Sequence, residues 1–281
     1  MATLMDGRAL AARVRKQVAE EARELGSLRL ATVLVGEDPA SHYYIARKHE
    51  AAREVGIEPV DYRLPAETSQ DEVLALVATL NADATVDGIL VQSPLPTHVD
   101  EPRVMRSVDA TKDVDGFHPL NAGQLYLGRP TIVPATPLGI MALLAEYGVQ
   151  LTGAHAVVVG RSEIVGKPVA HLLLQANATV TICHSRTADL GHETRAADVL
   201  VVAAGRAALV HADMVKPGAA VVDVGQNRTD AGLVGDVDPG VSERAGFFTP
   251  VPGGVGPMTI AMLLENTVRA ARHRRGSSEF S

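Results

Sequence analysis

Tyr44 and Lys48 stand four residues apart in VGEDPASHYYIARK, residues 35–48. On a helix that spacing puts them on one face, a turn apart. The pair reads in two ways. It is an amphipathic surface pair with apolar stems along the protein and polar tips in water. Alternatively it lies in a cleft, where desolvation lowers the lysine pKa and makes a neutral amine available as a base near pH 7. Gln92 closes the apolar run VDGILVQ. Ligand sites in open α/β sheets lie outside the carboxyl ends of strands, and a carboxamide there donates and accepts at once. The loop KDVDGFHP carries Asp113 and Asp115. Paired acids suggest a metal, but no His or Cys partner stands at ligand spacing. One acid recognising a pair of donors on a ligand ring is equally good chemistry. The segment PVPGGVGPMT, 250–259, has three glycines and three prolines in ten residues. Such a loop is rigid at Pro and admits close backbone approach to a ligand at Gly.

A second kind of chemistry is written in HAVVVGRSEIVGKPVAHLLLQANATVTICHSRT, residues 155–187. It reads as strand, glycine turn, helix and strand. The run Ala156 to Val159 suits a parallel strand buried on both faces. Gly160 permits a tight turn, Gly166 lets the helix pack close, and the helix N-terminus offers unpaired N–H groups and a positive dipole end to a pyrophosphate. The spacing is Gly160-x5-Gly166, not G-x-G-x-x-G, so the standard dinucleotide fingerprint is absent. An acid that would hold a ribose 2′-hydroxyl is also missing, because the second strand ends in His184-Ser185-Arg186-Thr187. With Arg161 on the first turn, two guanidinium groups and a hydroxyl suit a 2′-phosphate, and so NADP. The bland alternative is two solvated loop arginines.

These groups need elements to hold them. Helical periodicity runs from Asp6 to Leu25, from Ser41 to Val55, and from a Ser69 cap to about Asn81. Strands are expected at 28–35, 60–64 and 86–92. Repeated αβ units of this kind imply a largely parallel sheet. From Asp109 to Pro137 the regularity fails in a stretch rich in Gly, Pro, Asp and Asn, and a loop of that length is usually functional. Leu138 to Tyr147 reads as a helix leading into a second domain. That domain has strands at 156–160, 179–184, 198–204, 220–224 and 247–251, and a last helix runs from about Pro257 to Arg274. The fold expected is α/β with two domains. One, residues 1–136 plus 258–281, carries a mostly parallel sheet, and its C-terminal helix packs back on it. The other, residues 137–257, is a Rossmann-like nucleotide-binding domain, with a cleft between the two. The terminal GSSEFS is polar and expected to be disordered.

Composition excludes several classes. The 281 residues are 46% hydrophobic and 21% charged, which is ordinary for a globular protein of one or two domains. Net charge is −7, so a broad nucleic-acid footprint is not expected. Aromatic residues make up 3% and Trp is absent, which argues against base-stacking platforms. The basic end from Arg269 to Arg275 reads as the last turn of a helix, where cations offset the dipole. Cys183 is the single cysteine, so no intrachain disulfide forms and a reducing compartment fits; within a buried strand it reads as a small core residue. No apolar run reaches membrane-span length and no signal-peptide pattern opens the chain. A cytoplasmic protein with a small-molecule substrate is expected.

In this order, VGEDPASHYYIARK, GILVQSPLP, KDVDGFHPLNAG, ATPLGIMALL, GRSEIVGKP, ATVTICHSRT, KPGAAVVDVG, GDVD and PVPGGVGPMT resemble one family. It is the bifunctional methylenetetrahydrofolate dehydrogenase/methenyltetrahydrofolate cyclohydrolase family, and the resemblance covers nearly the whole chain. It implies NADP-dependent oxidation of 5,10-methylenetetrahydrofolate to the methenyl form, then hydrolysis to 10-formyltetrahydrofolate, with the folate bound between the domains. Lys48 falls on the essential lysine of the hydrolytic step. Tyr44 falls on a tyrosine that packs on the folate and helps orient that lysine, and Gln92 on the glutamine that hydrogen-bonds and tunes it. Asp115 falls on the acid that holds the pterin edge. Gly160, Arg161 and Ser162 match the turn at the NADP ribose and phosphates, and Ser185 matches the 2′-phosphate contact, with Arg186 beside it. Pro252, Gly253, Gly254 and Gly256 belong to the loop closing over nicotinamide and folate, and Gln226 stands near the nicotinamide. The resemblance also implies a homodimer through the nucleotide domain.

Three positions depart from the family pattern. Ala135 stands where many members have Cys, Ser93 replaces a common Leu, and Gln226 stands where Ile or Val is usual. None removes a proposed catalytic group. A monofunctional methylenetetrahydrofolate dehydrogenase is the nearest alternative. A nicotinamide dehydrogenase for amino or hydroxy acids would need a carboxylate-binding arginine, and none is evident in the first domain's motifs. An NADP-binding sensor would leave Tyr44, Lys48, Gln92 and Asp115 unexplained as a set.

Overall fold

Short, β-branched-rich runs closed by Gly, Pro or Asp become strands, and the periodic stretches between them become helices, in a computed structural model that describes residues 1–230 and 232–276. In chain order the first half holds β1 (Thr3–Leu4), α1 (Gly7–Leu25), β2 (Leu28–Val35), α2 (Pro39–Glu54), β3 (Ile57–Leu64), α3 (Gln70–Ala82), β4 (Gly88–Val91), α4 (Glu101–Ser107), α5 (Pro119–Tyr126) and α6 (Ala135–Glu146). The second half holds β5 (His155–Val159), α7 (Gly166–Gln175), β6 (Thr179–Cys183), α8 (Leu190–Arg195), β7 (Val199–Val202), β8 (Ala220–Asp223), β9 (Asn227–Thr229), β10 (Gly232–Val234), β11 (Phe247–Phe248) and α9 (Val255–Arg274). Of the terminal GSSEFS, residues 277–281 lie outside the described residues.

Internal contacts divide the chain into two units. The first is Arg13–Ala135 with residues from Ile260 onward; the second is Met1–Ala12 with Thr136–Thr259. Residues 1–12 therefore group with the second unit, where sequence reasoning put them in the first domain. The cause is β1: its two residues pair parallel with β11, Thr3 with Phe247 and Leu4 with Phe248. A two-residue strand leaves no periodicity to read.

The first unit holds a parallel three-stranded sheet ordered β3-β2-β4. Its strands bury Ala31, Val33, Val35, Ile89 and Val91 against Val73, Val77 and Leu80 of α3 and against Val104 of α4. Ser69 caps α3 with a full capping box: its Oγ accepts from Glu72 N, and the Glu72 carboxylate accepts from Ser69 N. The other end of α3 is closed by Lys112. Its buried ammonium donates to the carbonyls of Leu80, Asn81 and Asp83 at 2.9, 2.8 and 2.7 Å. The loop after Lys112 runs beside β4: Ile89 N donates to Lys112 O at 2.7 Å, and Ile89 pairs parallel with Asp113. From α9, Asn266 Nδ2 donates to the carbonyls of Val114 and Val133, both at 2.8 Å, and ties this loop down.

Two helices interrupt what reads as irregular chain. α5 lies inside 109–137, and α4 lies between the strand and that stretch. Pro102 and Pro119 look like breakers in sequence, but each falls in the first turn, where proline's fixed φ and missing N–H suit a helix. Asp100 and His118 supply the caps, accepting from Arg103 N and Leu120 N.

The second unit holds a six-stranded sheet ordered β1-β11-β8-β7-β5-β6, parallel throughout. β5 lies between β6 and β7, so the chain runs outward on one side of β5 and then on the other. The carboxyl ends at such a switch point are where open α/β sheets bind ligands. The core is aliphatic, from Val157, Val159, Leu200, Val202 and Val221, and Cys183 is buried in it. An antiparallel hairpin, β9 with β10, follows β8 and was not foreseen.

Candidate active site

Three side chains from three segments of the first unit converge. Lys48 comes from α2, which Asp38 caps through Ser41 N at 2.8 Å and which has Pro39 at its first position. One residue on, buried His49 bonds Thr32 of β2, Nε2 to Oγ1 at 2.7 Å, and pins the helix to the sheet. Gln92 follows β4, its N–H continuing the ladder to Val33 O at 2.8 Å. Asp115 follows the parallel bridge at Asp113, so two residues further along it comes level with the end of β4. The loop is held by Asp113, whose buried carboxylate accepts from Gly116 N, His118 N and Asn121 Nδ2 at 3.0, 2.7 and 2.9 Å. Asp113 is thus a structural staple, and Asp115 is the acid left for other work.

Lys48 Nζ donates to Gln92 Oε1 at 3.0 Å, and Gln92 Nε2 donates to Ser93 O at 2.6 Å. Burial holds the Lys48 ammonium below the usual lysine range, opposed by the charge of Asp115. Burial pushes Asp115 up to about 6; Lys48 pulls it down and Asp113 adds to the rise. The result is a lysine whose proton burial loosens, beside a carboxyl that burial makes harder to ionise. Among the described residues the Asp115 side chain makes no hydrogen bond, so its oxygens are open to ligand donors. Tyr44, half-buried, stands a turn before Lys48 on α2, its ring edge-on to Tyr43 at 5.8 Å. No group of three or more His, Cys, Asp or Glu side chains fit to hold a metal occurs among the described residues.

The remaining expected residues lie in the second unit, with Gly160, Arg161, Ser162, Ser185 and Arg186 on the turns after strands of its sheet. Gly160 follows β5 with φ +129; a Cβ there would meet Ala203 O at 2.2 Å. Gly166 opens α7 against Gly160, where a Cβ would meet Gly160 O at 2.3 Å. Only glycine fits either place. Arg161, Ser162, Ser185 and Arg186 are exposed on the turns after β5 and β6, which are sheet neighbours. Among the described residues the side chains of Arg161, Ser185 and Arg186 have no ion pair or hydrogen bond. Two unengaged guanidinium groups and a hydroxyl on adjacent turns fit a phosphate dianion.

One expectation needs correction. The N-terminus of α7 does not present a row of unpaired N–H groups. Ser162 Oγ accepts from Val165 N and Gly166 N, both at 3.2 Å, and Ser162 O accepts from Lys167 N at 3.0 Å. A serine four residues before the helix folds back to cap it. The Ser162 hydroxyl proton and the helix dipole remain for a ligand.

Pro252, Gly253 and Gly254 lie in the second unit, so Asp115 and this loop are not gathered within one unit. The loop is tightly packed: Gly254 N donates to Pro250 O at 2.7 Å, and a Cβ on Gly254 would meet Thr249 Cβ at 2.7 Å. Gly256 lies next to Gln226, whose Nε2 would be 3.1 Å from a Cβ there.

A carboxylate pair behind these strand ends was missed. Buried Asp223, the last residue of β8, accepts from Gly225 N, Asp236 N and Val237 N. Buried Asp236 accepts from Ala204 N, Gly205 N, Arg206 N and Asn227 Nδ2. Together they fix the loops after β7 and β8. An acid closing an otherwise apolar strand was the available signal.

Comparison with known proteins places both parts of the chain in one family. Residues 5–115 match the family model "Tetrahydrofolate dehydrogenase/cyclohydrolase, catalytic domain", and residues 134–275 match its "NAD(P)-binding domain". The "Bifunctional protein FolD" of Halothermothrix orenii is 55% identical over 281 residues, covering 97% of this chain and 99% of its own. The crystal structure of the bifunctional FolD methylenetetrahydrofolate dehydrogenase/cyclohydrolase from Campylobacter jejuni superposes with a TM-score of 0.96 at 50% identity, covering 98% of this chain and 100% of that one. The Trypanosoma brucei enzyme, solved with NADP cofactor and inhibitor, gives 0.93 at 39% identity, with 99% of each chain covered. With both halves matched in order and full-length relatives above half identity, the chain belongs to the tetrahydrofolate dehydrogenase/cyclohydrolase family.

Proposed function

We propose that the two reactions of this bifunctional enzyme are divided among its residues, and that Lys48, Gln92 and Asp115 carry the hydrolytic one. The reactions are oxidation of 5,10-methylenetetrahydrofolate to 5,10-methenyltetrahydrofolate and hydrolysis of that product to 10-formyltetrahydrofolate. The observation that carries the division is the half-buried Lys48 Nζ, bonded to Gln92 Oε1 at 3.0 Å within the electrostatic reach of Asp115. Asp115 accepts from paired N–H donors on the pterin edge, and so sets the ring's register. Tyr44 packs on the folate one turn away. For hydrolysis a water must add to the methenyl carbon and lose a proton; the hydroxy adduct then opens to the formyl group, its carbon–N5 bond breaking with the electron pair going to N5, which gains a proton as the hydroxyl loses one. Lys48, its proton loosened by desolvation, takes that proton in its neutral form, and Gln92 keeps its amine directed; general-base help of this kind is typically worth about 10²–10⁴-fold.

The oxidation needs no protein acid or base, because a folate nitrogen lone pair stabilises the cation left when hydride departs. NADP⁺, when bound, supplies the hydride acceptor. Arg161, Ser185 and Arg186 would hold its 2′-phosphate, and Gly160 and Ser162 its ribose and phosphates. Gln226, Gly256 and the Pro252–Gly254 loop would border the nicotinamide and folate. Positioning reactants at about 3–3.5 Å can supply roughly 7–11 kcal/mol of such a barrier.

Among the described residues no helix is long and apolar enough to cross a membrane. A cytoplasmic homodimer, paired through the nucleotide unit, rests on resemblance to the family. Light scattering of the purified protein tests the dimer. The activity is tested by adding methylenetetrahydrofolate with NADP⁺ or NAD⁺ and following reduced-nicotinamide and methenyl absorbance. Reduction with NADP⁺ and decay of the methenyl signal are expected. No reduction with either cofactor contradicts the reading, and methenyl accumulation without hydrolysis reduces it to a monofunctional dehydrogenase.

A further inference from the structure

Glu101, the first residue of α4, grips the turn directly after Gln92. Its Oε2 accepts from Leu95 N at 2.8 Å, and its Oε1 accepts from the Ser93 hydroxyl at 2.7 Å. Between these donors lies Pro94, which has no N–H to offer. Leu95 is buried in the unit's core, so the far side of the turn is also anchored. Within this turn the Ser93 carbonyl accepts from Gln92 Nε2 at 2.6 Å, while the opposite end of the carboxamide, Oε1, accepts from Lys48 Nζ at 3.0 Å.

The two ends of a glutamine carboxamide have nearly the same shape and opposite hydrogen-bond character. Rotated by half a turn, Gln92 would aim two N–H donors at an ammonium that also only donates. The Ser93 carbonyl decides the rotation, because it can only accept. That carbonyl stays in place only while the turn does, and both polar holds on the turn end on one carboxylate.

We propose that Glu101 is a positioning residue for the hydrolytic step: by clamping Ser93 and Leu95 it fixes the Gln92 carboxamide with its oxygen toward Lys48. This rests on the reading of Lys48 as the hydrolytic base. An acid in the first turn also favours the dipole of α4, which is a purely structural role. The two roles differ in what they move.

The test compares wild type with Glu101→Ala, Glu101→Gln, Ser93→Ala and Lys48→Met. Methenyl hydrolysis and NADP⁺-dependent oxidation are measured from pH 6 to 9, together with thermal midpoints. Glu101→Ala is expected to lower kcat for hydrolysis about tenfold, equivalent to ~1.4 kcal/mol, with KM and the oxidation rate changed less than about twofold. The ionisation governing hydrolysis moves to lower pH, because the charged amine loses the acceptor that favours it. Glu101→Gln restores most of the rate: its oxygen accepts from Leu95 N and its amide donates to the Ser93 hydroxyl. Ser93→Ala keeps the Leu95 bond and falls between, about threefold down, in line with one modest hydrogen bond. If Glu101→Ala does not fold, Ser93→Ala against Glu101→Gln carries the comparison. Equal loss of both activities in Glu101→Ala, or a lowered midpoint with an unshifted pH profile, overturns the proposal. Hydrolysis lost in Lys48→Met but unaltered in Glu101→Ala overturns it alone; hydrolysis retained in Lys48→Met overturns the Lys48 reading instead.

Discussion

Replacing Asp115 with Asn removes a carboxyl group that the folded protein holds in its less favoured state. Burial raises its pKa from 3.8 to about 6. The sign follows from linkage: the unfolded chain ionises first, so the native protein loses stability between roughly pH 4 and pH 6 and is level above that. At ~1.4 kcal/mol per pKa unit, a rise of about two units amounts to about 3 kcal/mol at the plateau. Asp115→Asn escapes this penalty. Its stability relative to wild type should climb by about 2 kcal/mol between pH 4.5 and 7.5, less whatever Lys48 forfeits on losing the nearby negative charge. Urea unfolding followed by far-ultraviolet circular dichroism at pH 4.5, 6.0 and 7.5 measures the difference. A difference that stays constant, or a variant that weakens as pH rises, refutes the reasoning: Asp115 would then be ionised throughout and held by Lys48. The gain has a functional cost, since a carboxylate that pairs with pterin donors is worth about 1.5–3 kcal/mol and KM for folate should rise roughly ten- to a hundredfold.

Arg161→Ala and Ser185→Ala should each raise KM for NADP⁺ about tenfold or more and that for NAD⁺ less than about twofold, by loss of charge-assisted bonds to the 2′-phosphate; equal effects on both cofactors would contradict the selectivity assigned to this turn. Gly160→Ala places a methyl 2.2 Å from Ala203 O at φ +129, and should destabilise the protein by roughly 2 kcal/mol or more with loss of NADP⁺ binding. Lys112→Met leaves the carbonyls of Leu80, Asn81 and Asp83 without their donor, and should lower stability by roughly 3 kcal/mol while leaving kcat of the folded fraction unchanged; thermal denaturation beside both activity assays separates these effects.

What sequence reasoning recovers is what local chemistry controls. Runs such as LRLATVLV and HAVVV can only be buried strands, and Ser69 announces its helix by standing three residues before Glu72. Gln92 was legible as a strand-end polar group because the apolar run before it is unbroken. The short helices α4 and α5 were not, since proline stops a helix from within and favours one at its start. β1 was illegible for a different reason: a two-residue strand is defined by its partner, and that partner, β11, is more than two hundred residues away. The meeting of Lys48, Gln92 and Asp115 likewise comes from parallel register rather than spacing. Ser162 shows another side of the same limit: motif matching gives it a cofactor role, and only the folded turn shows that its oxygen also caps α7. The division between Asp113 and Asp115, one acid absorbed by its own loop and one left open, needed the loop itself.

The central claim is that Lys48 serves the hydrolytic step and is dispensable for hydride transfer. Lys48→Met keeps the stem length and removes only the amine. Both activities measured on the same preparation, with folding and folate binding verified, test it directly. The account predicts that methenyltetrahydrofolate hydrolysis disappears while NADP⁺-dependent oxidation of methylenetetrahydrofolate survives in part, so methenyl product accumulates. Equal loss of both activities in a folded, folate-binding variant would contradict it.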